Sequence, residues 1–354
     1  MNIRVLIVRI MMLSLILLTI ALFLYSSMFW DMVYRKKSIS ILAWPTELDA
    51  SYLAEFEHKT GIKVHINYLE NNEELLAKLR LNDTHGYDLV MVSDYMIAHM
   101  RELNLLKPIH KKQFQHWDQL YTELLDQYYD PGNEYTIPYF WDVYGLAIDT
   151  SRVCKDKARR FGWGLVFNPL YVPGRIGMME DRRELILLAA MYLYNTIDGI
   201  DTQERRHEIV QLLRSQKQWV EMYTDMRSSA LIASGVCPAA VTISTDVIRA
   251  QQQHSALAFV LPDTGSFMII DNFAISTQSK KEEYVYQFLN YLYDKSCLQQ
   301  YADKYMMRTA HRMVRASAIT DTMVPDKQFF SQLSFFKNVI EEKRLNQLWI
   351  SVVS

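Results

Sequence analysis

The sequence predicts a two-lobed α/β protein, in which each lobe has a mostly parallel sheet flanked by helices and two crossover strands join the lobes. Three observations predict this fold. The chain has 354 residues, which is long for one ordinary hydrophobic core. Strand-like and helix-like segments alternate along its first third. Two apolar, strand-like stretches, Val143–Ile148 and Phe267–Ile275, lie where the chain would cross between two compact bodies.

The composition excludes several classes of function. Hydrophobic residues make up 50% of the chain, which permits large cores and argues against disorder. Only 11 residues are glycine, and the phosphate-binding patterns GxxxxGK(S/T) and GxGxxG do not occur in the sequence. The formal net charge is −2, and residues 1–37 contain five basic residues and one acidic residue, so the remainder is more acidic. Nucleic-acid binding needs the opposite sign, concentrated on one face.

The cysteine and histidine residues predict neither a metal site nor a cofactor. Cys154, Cys237 and Cys297 are widely spaced, form no metal-binding motif and can make at most one disulfide. The nine histidines are scattered along the sequence, which contains no HExxH pattern.

The first 37 residues are predicted to be a membrane segment. Arg4 and Arg9 precede the uncharged stretch Ile10–Trp30, and three basic residues at 35–37 follow it. A cleaved signal peptide usually has an apolar run of about 7–15 residues and a small-x-small cleavage site. This run is closer to the roughly 20 residues that span a bilayer. We therefore expect residues 10–30 to be an uncleaved membrane anchor, with a cleaved signal peptide as the alternative.

Alternating strands and helices are expected after residue 37. The expected elements are a strand at Ser38–Trp44, a helix from an Asp49 cap to His58, a strand at Ile62–Tyr68, a helix capped by Asn72, a strand at Tyr87–Val92, and a helix from Ser93 to Leu103. Repeats of this spacing predict a mostly parallel sheet with helices on both faces. Ligands of such sheets bind beyond the carboxyl ends of the strands. Trp44 and residues 93–95 are therefore expected at the rim of a binding site.

The second half of the chain is expected to form the other lobe and then to return to the first. The expected elements are a strand at Arg175–Met179, a helix containing Leu185 and Tyr192, an amphipathic helix at 202–226, strands at Pro238–Ser244 and Ala256–Leu261, the second crossover, helices at Tyr284–Leu292 and Leu298–Tyr305, and a largely helical tail from Asp326 to Trp349. We therefore assign residues 38–143 and 271–312 to lobe 1, and residues 144–270 and 313–354 to lobe 2.

Six stretches of the sequence, in the same order, resemble the substrate-binding proteins of bacterial polyamine importers, the spermidine/putrescine-binding proteins. They read SISILAWPTELDASYLAEFEHKTGIKV, NNEELLAKL, GYDLVMVSDYMIAHMRELNLLKPI, YTIPYFW, EDRRELILLAAMYL and FMIIDNFAIS. Together they span nearly all of the chain from Ser38 to about His311. The resemblance implies a periplasmic-binding-protein fold of type II that closes on a linear polyamine, spermidine or putrescine. It also implies a periplasmic protein that delivers its ligand to an ABC permease with a separate ATPase. The apolar stretch at residues 10–30, if it is retained, is expected to hold this protein at the inner membrane.

The resemblance also implies carboxylates for both ends of the polyamine. The family's acidic pair at a helix start matches Asp181 and Glu184, which lie at i and i+3 and therefore on one helix face. A helix N-terminus stabilises each anion by about 0.3–1 kcal/mol. Asp271, within the apolar second crossover, matches the carboxylate that meets the other end of the ligand. The alternatives are that Asp181 and Glu184 only cap a helix, and that Asp271 only binds backbone groups at the hinge.

Other matched positions offer aromatic and hydroxyl groups. Trp44 and Tyr95 match family positions that pack against the ligand, and Ser93 offers a hydroxyl. Aromatic faces suit both the methylenes and the ammonium groups of a polyamine. The alternative for these residues is packing at the rim or in the core. Trp141 is expected in the core rather than in a ligand wall.

Several positions depart from the family pattern. Ile243, Ile269 and Met307 stand where relatives carry further aromatic residues, and Glu47 stands where a tyrosine is usual. Asp142 follows Trp141 where a glycine is expected, and we include it among the substrate-binding candidates. Two anions have thus replaced neutral groups while aromatic faces are lost, so charge is expected to contribute more to recognition. Such a contribution is sensitive to salt.

Other functional classes remain open from the sequence. Another cationic or small organic solute could be the ligand, and the same fold could serve as a membrane-anchored sensor. A glycosidase would need two carboxylates across a bond, whereas Asp181 and Glu184 would sit side by side. No Ser-His-Asp or Cys-His arrangement can be placed. We therefore expect a binding protein rather than an enzyme.

Overall fold

The computed structural model of the protein describes residues 11, 12, 14, 19, 37–45, 47–49, 53–81, 86–224, 228–319, 323 and 326–354, without the side chain of Glu73. The expected anchor at residues 10–30 lies almost entirely outside these residues. Within the described ranges, no helix is both long enough and apolar enough to cross a bilayer.

Strands and helices alternate in the first half of the described chain. The elements are β1 (Ser38–Ala43), α1 (Leu53–Thr60), β2 (Lys63–Tyr68), α2 (Asn72–Arg80), β3 (Leu89–Ser93), α3 (Asp94–Glu102), short 3-10 turns at Lys111–Gln113, Trp117–Gln119, Thr122–Leu124 and Pro131–Asn133, and then β4 (Thr136–Asp149). The alternation predicted from the sequence is therefore present, with boundaries within a few residues of those expected.

The second half contains shorter strands and more helices. The elements are α4 (Lys155–Phe161), α5 (Gly164–Phe167), β5 (Ile176–Met178), α6 (Arg182–Tyr194), α7 (Gln203–Lys217), β6 (Val220–Tyr223), α8 (Ser228–Ala233), β7 (Ala239–Ile243), α9 (Ser244–Gln251), β8 (Leu257–Val260), β9 (Ser266–Ile275), α10 (Glu282–Leu292), α11 (Lys295–Tyr305), α12 (Lys327–Phe330), β10 (Leu333–Phe335) and α13 (Glu342–Val353).

All of these strands belong to one hydrogen-bonded sheet. Its order is β2-β1-β3-β9-β4-β7-β5-β6, and β10 and β8 are attached to β9 and β4. The outer strands are parallel, since β1 pairs with β2 and β3, and β5 pairs with β6 and β7. The two long central strands are antiparallel to each other, β9 is antiparallel to β3, and β4 is antiparallel to β7 and β8. The mixed α/β fold class predicted from the sequence is confirmed.

Strands β4 and β9 each contact two hydrophobic cores. In β4, Ile137 and Val143 pack in a core with the helices around β1 and β3, whereas Leu146 packs in a second core around β5 and α6. In β9, Phe273 belongs to the first core and Phe267 to the second. The two apolar stretches therefore act as the crossovers that the sequence indicated. The residue boundaries assigned to the two lobes stay a prediction.

Pro138 is accommodated by an irregularity in β4. The register between β4 and β9 shifts between Pro138 and Phe140. A proline cannot donate a ladder hydrogen bond, so it is tolerated near the start of a strand or at a bulge.

Two local expectations near α2 and α7 were wrong. The N-cap of α2 is Asn71, whose Oδ1 accepts a hydrogen bond from Glu74 N at 2.8 Å. Asn72 is the first helical residue. The expected helix at 202–226 ends at Lys217, because Val220 pairs with Ile176 of β5 and begins a strand. In this segment sheet pairing overrides the helical periodicity of the sequence.

The C-terminal tail is less helical than expected. Leu333–Phe335 pairs in parallel with Ser266–Met268 of β9, so a strand interrupts the expected helix.

The cap expected at Asp49 is not tested, since residues 50–52 lie outside the described residues. The Asp49 carboxylate accepts hydrogen bonds from Lys304 Nζ and Tyr305 OH, both at 2.6 Å.

Phe336 fixes the tail against both crossover strands. Its ring stacks on Phe267 of β9, with centroids 4.1 Å apart and an interplanar angle of 8°. It also meets the ring of Tyr144 of β4 edge-on at 5.0 Å. The tail is thereby packed beside the strands that join the two cores.

We expect Phe336→Ala to destabilise the protein by about 3–5 kcal/mol, because truncating a buried aromatic side chain removes apolar contacts and leaves a cavity. Phe336 is 1% exposed, and the matched control Leu170→Ala truncates a side chain that is 88% exposed. Urea unfolding followed by circular dichroism measures both. Equal unfolding free energies for the two variants would contradict this docking of the tail.

Candidate functional site

The register of the central strands brings three predicted site residues onto one face of the sheet. Asp271 is directly opposite Ser93 of β3 on one side and Phe140 of β4 on the other. Ile269 is opposite Asp142. Directly opposed residues share a face, and residues two apart on a strand share it as well. Ser93, Asp142 and Asp271 therefore lie on the same face where the two cores meet.

Asp271 is a buried carboxylate with few partners. It is 4% exposed, and Ser93 Oγ donates a hydrogen bond to its Oδ1 at 2.6 Å. Burial raises the pKa of Asp271 to about 6, against the smaller lowering by Ser93 and by the Trp44 indole. The Trp44 N–H is close enough to have this effect, but it completes no hydrogen bond. The carboxylate is thus held in place without being neutralised.

Asn72 positions two of the predicted site residues. Its Nδ2 donates to Ser93 Oγ at 3.2 Å and to Tyr95 OH at 3.1 Å, and its Oδ1 accepts from Ser93 N at 3.3 Å. The sequence analysis missed this role because it treated Asn72 as a helix cap. The Asn71-Asn72 doublet was the available signal, since only one residue can be the N-cap of a helix.

Asp94 is a second buried carboxylate that the sequence analysis did not identify. It is 1% exposed at the start of α3, and its Oδ2 accepts from Ile270 N of β9 at 2.9 Å. Its Oδ1 has no hydrogen-bond donor among the described residues. Burial raises the pKa of Asp94 well above its usual range, and the negative charge of Asp271 raises it further. Asp94 therefore joins α3 to the second crossover, next to Asp271 in the chain, and its ionised form is disfavoured there.

Asp142 is fully buried and is surrounded by donors from the protein. The backbone N–H groups and hydroxyls of Ser244 and Thr245 all donate to its carboxylate. Arg308 Nε lies 3.8 Å from Asp142 Oδ1. These contacts attach the first turn of α9 to β4. They favour a positioning role for Asp142 over direct ligand contact.

Asp181 and Glu184 meet at the start of α6, as their spacing predicted. Asp181 is the N-cap and accepts hydrogen bonds from Arg183 N at 2.7 Å and Glu184 N at 3.1 Å. Both oxygens of the buried Glu184 accept from Tyr144 OH at 2.9 Å. Tyr144 lies on β4 two residues beyond Asp142, so the acidic pair borders the same face of the sheet.

The guanidinium group of Arg183 lies over the ring of Tyr95. The Cζ of Arg183 lies 5.0 Å from the centroid of the Tyr95 ring, and its Nη2 binds Glu342 Oε2 at 2.8 Å. Asn338 Nδ2 donates to Tyr95 O at 3.0 Å, and Arg183 donates to Asn338 Oδ1. The C-terminal tail therefore bridges the helix that starts with Asp94 and the helix that starts with Arg182.

The resemblance led us to expect aromatic residues at three aliphatic positions, two of which lie beside this face. Ile243 is opposite Tyr144, and Ile269 is opposite Asp142, both partly buried. Met307 is buried. Trp141 is buried in the core, with the Arg308 guanidinium 5.4 Å from the centroid of its ring, in agreement with its expected core position.

The part of the chain that the structure describes contains no group of three or more His, Cys, Asp and Glu residues arranged to hold a metal ion. Cys154, Cys237 and Cys297 are free thiols.

Comparisons with known proteins bear on the family of the whole chain. Residues 51–324 match the family model of bacterial extracellular solute-binding proteins. The spermidine/putrescine-binding periplasmic protein of Escherichia coli (strain K12) is 24% identical over 298 residues, which cover 83% of each chain. A putrescine-binding periplasmic protein of the same organism is 24% identical over 273 residues, which cover 73% of this chain and 74% of the relative.

A solved structure supports the same fold. The spermidine/putrescine ABC transporter substrate-binding protein of Streptococcus pneumoniae superposes with a TM-score of 0.77 at 22% identity, over 90% of this chain and 98% of the other. At this identity the likeness shows the fold, which is that of the two-lobed periplasmic binding proteins.

We expect Asp271→Asn to stabilise the unliganded protein by about 1–3 kcal/mol at pH 8, since one pKa unit corresponds to 1.36 kcal/mol. The pKa of Asp271 is raised from its usual 3.8 to about 6. Ionisation of the folded protein at pH 8 is therefore unfavourable relative to the unfolded chain, and this cost disappears below pH 4. Asparagine removes it and can still accept the Ser93 hydrogen bond.

Chemical denaturation at pH 8 and pH 4 measures this effect, with the exposed Asp263→Asn as the control. Asp263 forms a surface ion pair with Arg159, whose side chain is also exposed, so little change is expected there. A lower unfolding free energy for Asp271→Asn than for the parent at pH 8 would show that the buried carboxylate is stabilising.

Proposed function

Since this chain belongs to the family of bacterial extracellular solute-binding proteins, we propose that it captures a linear polyamine, spermidine or putrescine, between its two lobes and delivers it to an ABC permease. The observation that carries this proposal is Asp271, a buried carboxylate with no ion-pair partner among the described residues. A buried unpaired charge is costly. A ligand cation would remove that cost at the moment of binding.

The proposed ligand contacts lie at two ends of one face. Asp271, with Ser93 and Trp44 beside it, would bind one ammonium group, and Asp181 and Glu184 would bind the other. The amine groups of a polyamine resemble the lysine ammonium, whose pKa near 10.4 keeps it charged at neutral pH. Trp44 and Tyr95 would contact the methylenes. Asp142 would act through α9 and Arg308, because protein donors already surround its oxygens.

Capture would require the lobes to open and close about β4 and β9. These strands are the connections that contact both cores, so a change in their dihedral angles would move one core relative to the other. Asn338 bridges Tyr95 and Arg183 in the present arrangement and would favour the closed form. In this mechanism the protein makes and breaks no covalent bond, so it is proposed to be a binding protein and not an enzyme.

The proposed location is the periplasm, with residues 10–30 anchoring the chain in the inner membrane or acting as a cleaved signal. Its partners would be the permease subunits and a separate ATPase. The alternative is a membrane-anchored sensor for the same ligand, or a binding protein for another cationic solute. Neighbouring permease and ATPase genes, with polyamine uptake that depends on this protein, would distinguish the importer from the sensor.

We expect Asp271→Asn or Asp181→Asn to weaken spermidine binding more than Tyr95→Leu. Removing one partner of a desolvated charge pair costs ~3–5 kcal/mol, whereas losing an aromatic contact to a cation costs ~0.5–2 kcal/mol. Isothermal titration calorimetry at fixed ionic strength compares the three variants, and a titration at higher salt should lower the affinity of the parent. If both asparagine variants bind like the parent, the polyamine site lies elsewhere.

We expect polyamine affinity to fall when the pH drops below 6. The cation binds the ionised form of Asp271, whose pKa is raised to about 6, so protons compete with the ligand at lower pH. One competing proton predicts about tenfold weaker binding at pH 5 than at pH 8. Dissociation constants measured across this range test the expectation. A constant affinity between pH 5 and pH 8 would exclude Asp271 as a ligand carboxylate.

A further inference from the structure

Two carboxylates near the face described above are paired with arginines of the chain. Asp142 has Arg308 Nε at 3.8 Å. Asp246, on α9, forms an ion pair with Arg249, and Thr242 Oγ1 donates to its other oxygen at 3.1 Å. A buried carboxylate with such partners does not require a ligand. These two groups therefore do not indicate a binding site.

Glu47 and Asp271 differ from these two carboxylates. Neither forms an ion pair with any residue that the structure describes. The Glu47 side chain is partly buried, and its Oε2 is a buried atom that has no hydrogen-bond donor within the described part of the chain. An unpartnered buried acceptor is costly and calls for a specific explanation. A hydrogen-bond donor supplied by the ligand would satisfy this acceptor.

The Glu47 backbone is fixed by the protein core. Glu47 N donates to Trp44 O at 3.3 Å, which closes a turn after β1, and Glu47 O accepts from the buried Tyr139 OH at 3.0 Å. The turn follows the carboxyl end of β1, and Ser93 stands at the carboxyl end of the neighbouring parallel strand β3. Glu47 therefore stands at the same edge of the sheet as the pair formed by Ser93 and Asp271.

Charges from three elements act on Glu47. Burial raises the pKa of Glu47 well above its usual range, and the negative charge of Asp271 on β9 raises it further. Arg249 on α9 lowers the pKa, and Asp142 on β4 raises it. Arg249 is already paired with Asp246, so it neutralises Glu47 only in part. Among the described residues, no cation is therefore paired with either Glu47 or Asp271.

Two further polar atoms beside Asp271 also lack partners. Asp94 Oδ1 and Trp44 Nε1 are buried without a hydrogen bond within the described residues. Together with Glu47 Oε2, three buried atoms therefore lack partners. Each belongs to a residue that interacts electrostatically with Asp271. Two of the three are acceptors, which fits a ligand that donates several hydrogen bonds.

We propose that Glu47 and Asp271 together form a subsite for one terminal primary ammonium group, and that Glu47 is a specificity-determining residue of this protein. This inference rests on the proposed polyamine-binding function and deepens it. A primary ammonium has three N–H donors, like the lysine side chain, so it can bind both carboxylates at once. A tertiary ammonium has one donor and a bulkier nitrogen, so it can satisfy only one of them.

The test uses calorimetric titration of the parent and Glu47→Gln with putrescine and with N,N-dimethylputrescine at pH 7.5. Dimethylation leaves one primary ammonium on the ligand, which could bind either at Glu47 and Asp271 or at Asp181 and Glu184. The variant Asp181→Asn is titrated too, because it weakens binding of the primary ammonium at the second of these positions. Losing a charged hydrogen-bond partner should weaken putrescine binding by Glu47→Gln about 10- to 100-fold. Glu70→Gln is the matched control, because Glu70 is exposed and follows the neighbouring strand β2.

Proton release supplies a readout that a purely structural role would not change. Titrations in two buffers with different ionisation enthalpies count the protons displaced on binding. The parent should release more protons than Glu47→Gln, because a bound ammonium favours the ionised form of Glu47, whose pKa is raised well above its usual range in the unliganded protein. Thermal stability of Glu47→Gln equal to or above that of the parent shows that the variant is folded.

The outcomes separate this inference from the proposed function. Parent-like putrescine affinity and proton release in Glu47→Gln would overturn the subsite while polyamine binding stands. Stabilisation of the parent by n-butylammonium but by no di- or polyamine, lost in both Glu47→Gln and Asp271→Asn, would support the subsite and overturn the polyamine ligand. A parent that binds neither the monoamine nor any polyamine would overturn both.

Discussion

The antiparallel pairing of β4 with β9 is the constraint on which the rest of the structure depends. Residues Thr136–Val143 pair with Met268–Ala274, and both strands continue from one hydrophobic core into the other. The same strands carry Asp142 and Asp271 on one face. Motion between the cores must therefore act on the strands that hold the candidate site. A ligand bound to this face would contact the hinge itself, so binding and closure would be coupled without a separate relay.

The carboxyl groups of the candidate site lower the folding stability of the unliganded protein. Asp271 and Asp94 are buried carboxyl groups and Glu47 is a partly buried one. The pKa values of all three are raised, mainly because burial disfavours their ionised forms. Well-packed apolar side chains would be more stable in their place. The extensive cores on both sides can offset this cost. Function that needs an unfavourable local environment commonly lowers stability in this way.

The sequence predicted the crossover strands and the edge of the sheet because hydrophobic periodicity and turn chemistry determine both locally. It failed at Val220 and Leu333, because their strands depend on distant partners in β5 and β9. It placed Ser93 and Asp271 in one site through family resemblance, and the structure brings them within hydrogen-bond distance. It missed Asn72 and Asp94, because a polar residue at a helix start has the same sequence pattern whether it caps the helix or binds another element.

Charge, more than aromatic contact, distinguishes this face of the protein. Ile243 and Ile269 border it without aromatic faces, and the Tyr95 ring already has the Arg183 guanidinium beside it at 5.0 Å. An aromatic cage would accept any cation of suitable size, since cation–π attraction depends weakly on the number of N–H donors. Fixed carboxylates instead discriminate by the number and direction of those donors. In the proposed site, carboxylates in place of aromatic faces would therefore select a cation by its number of N–H donors more than by its size.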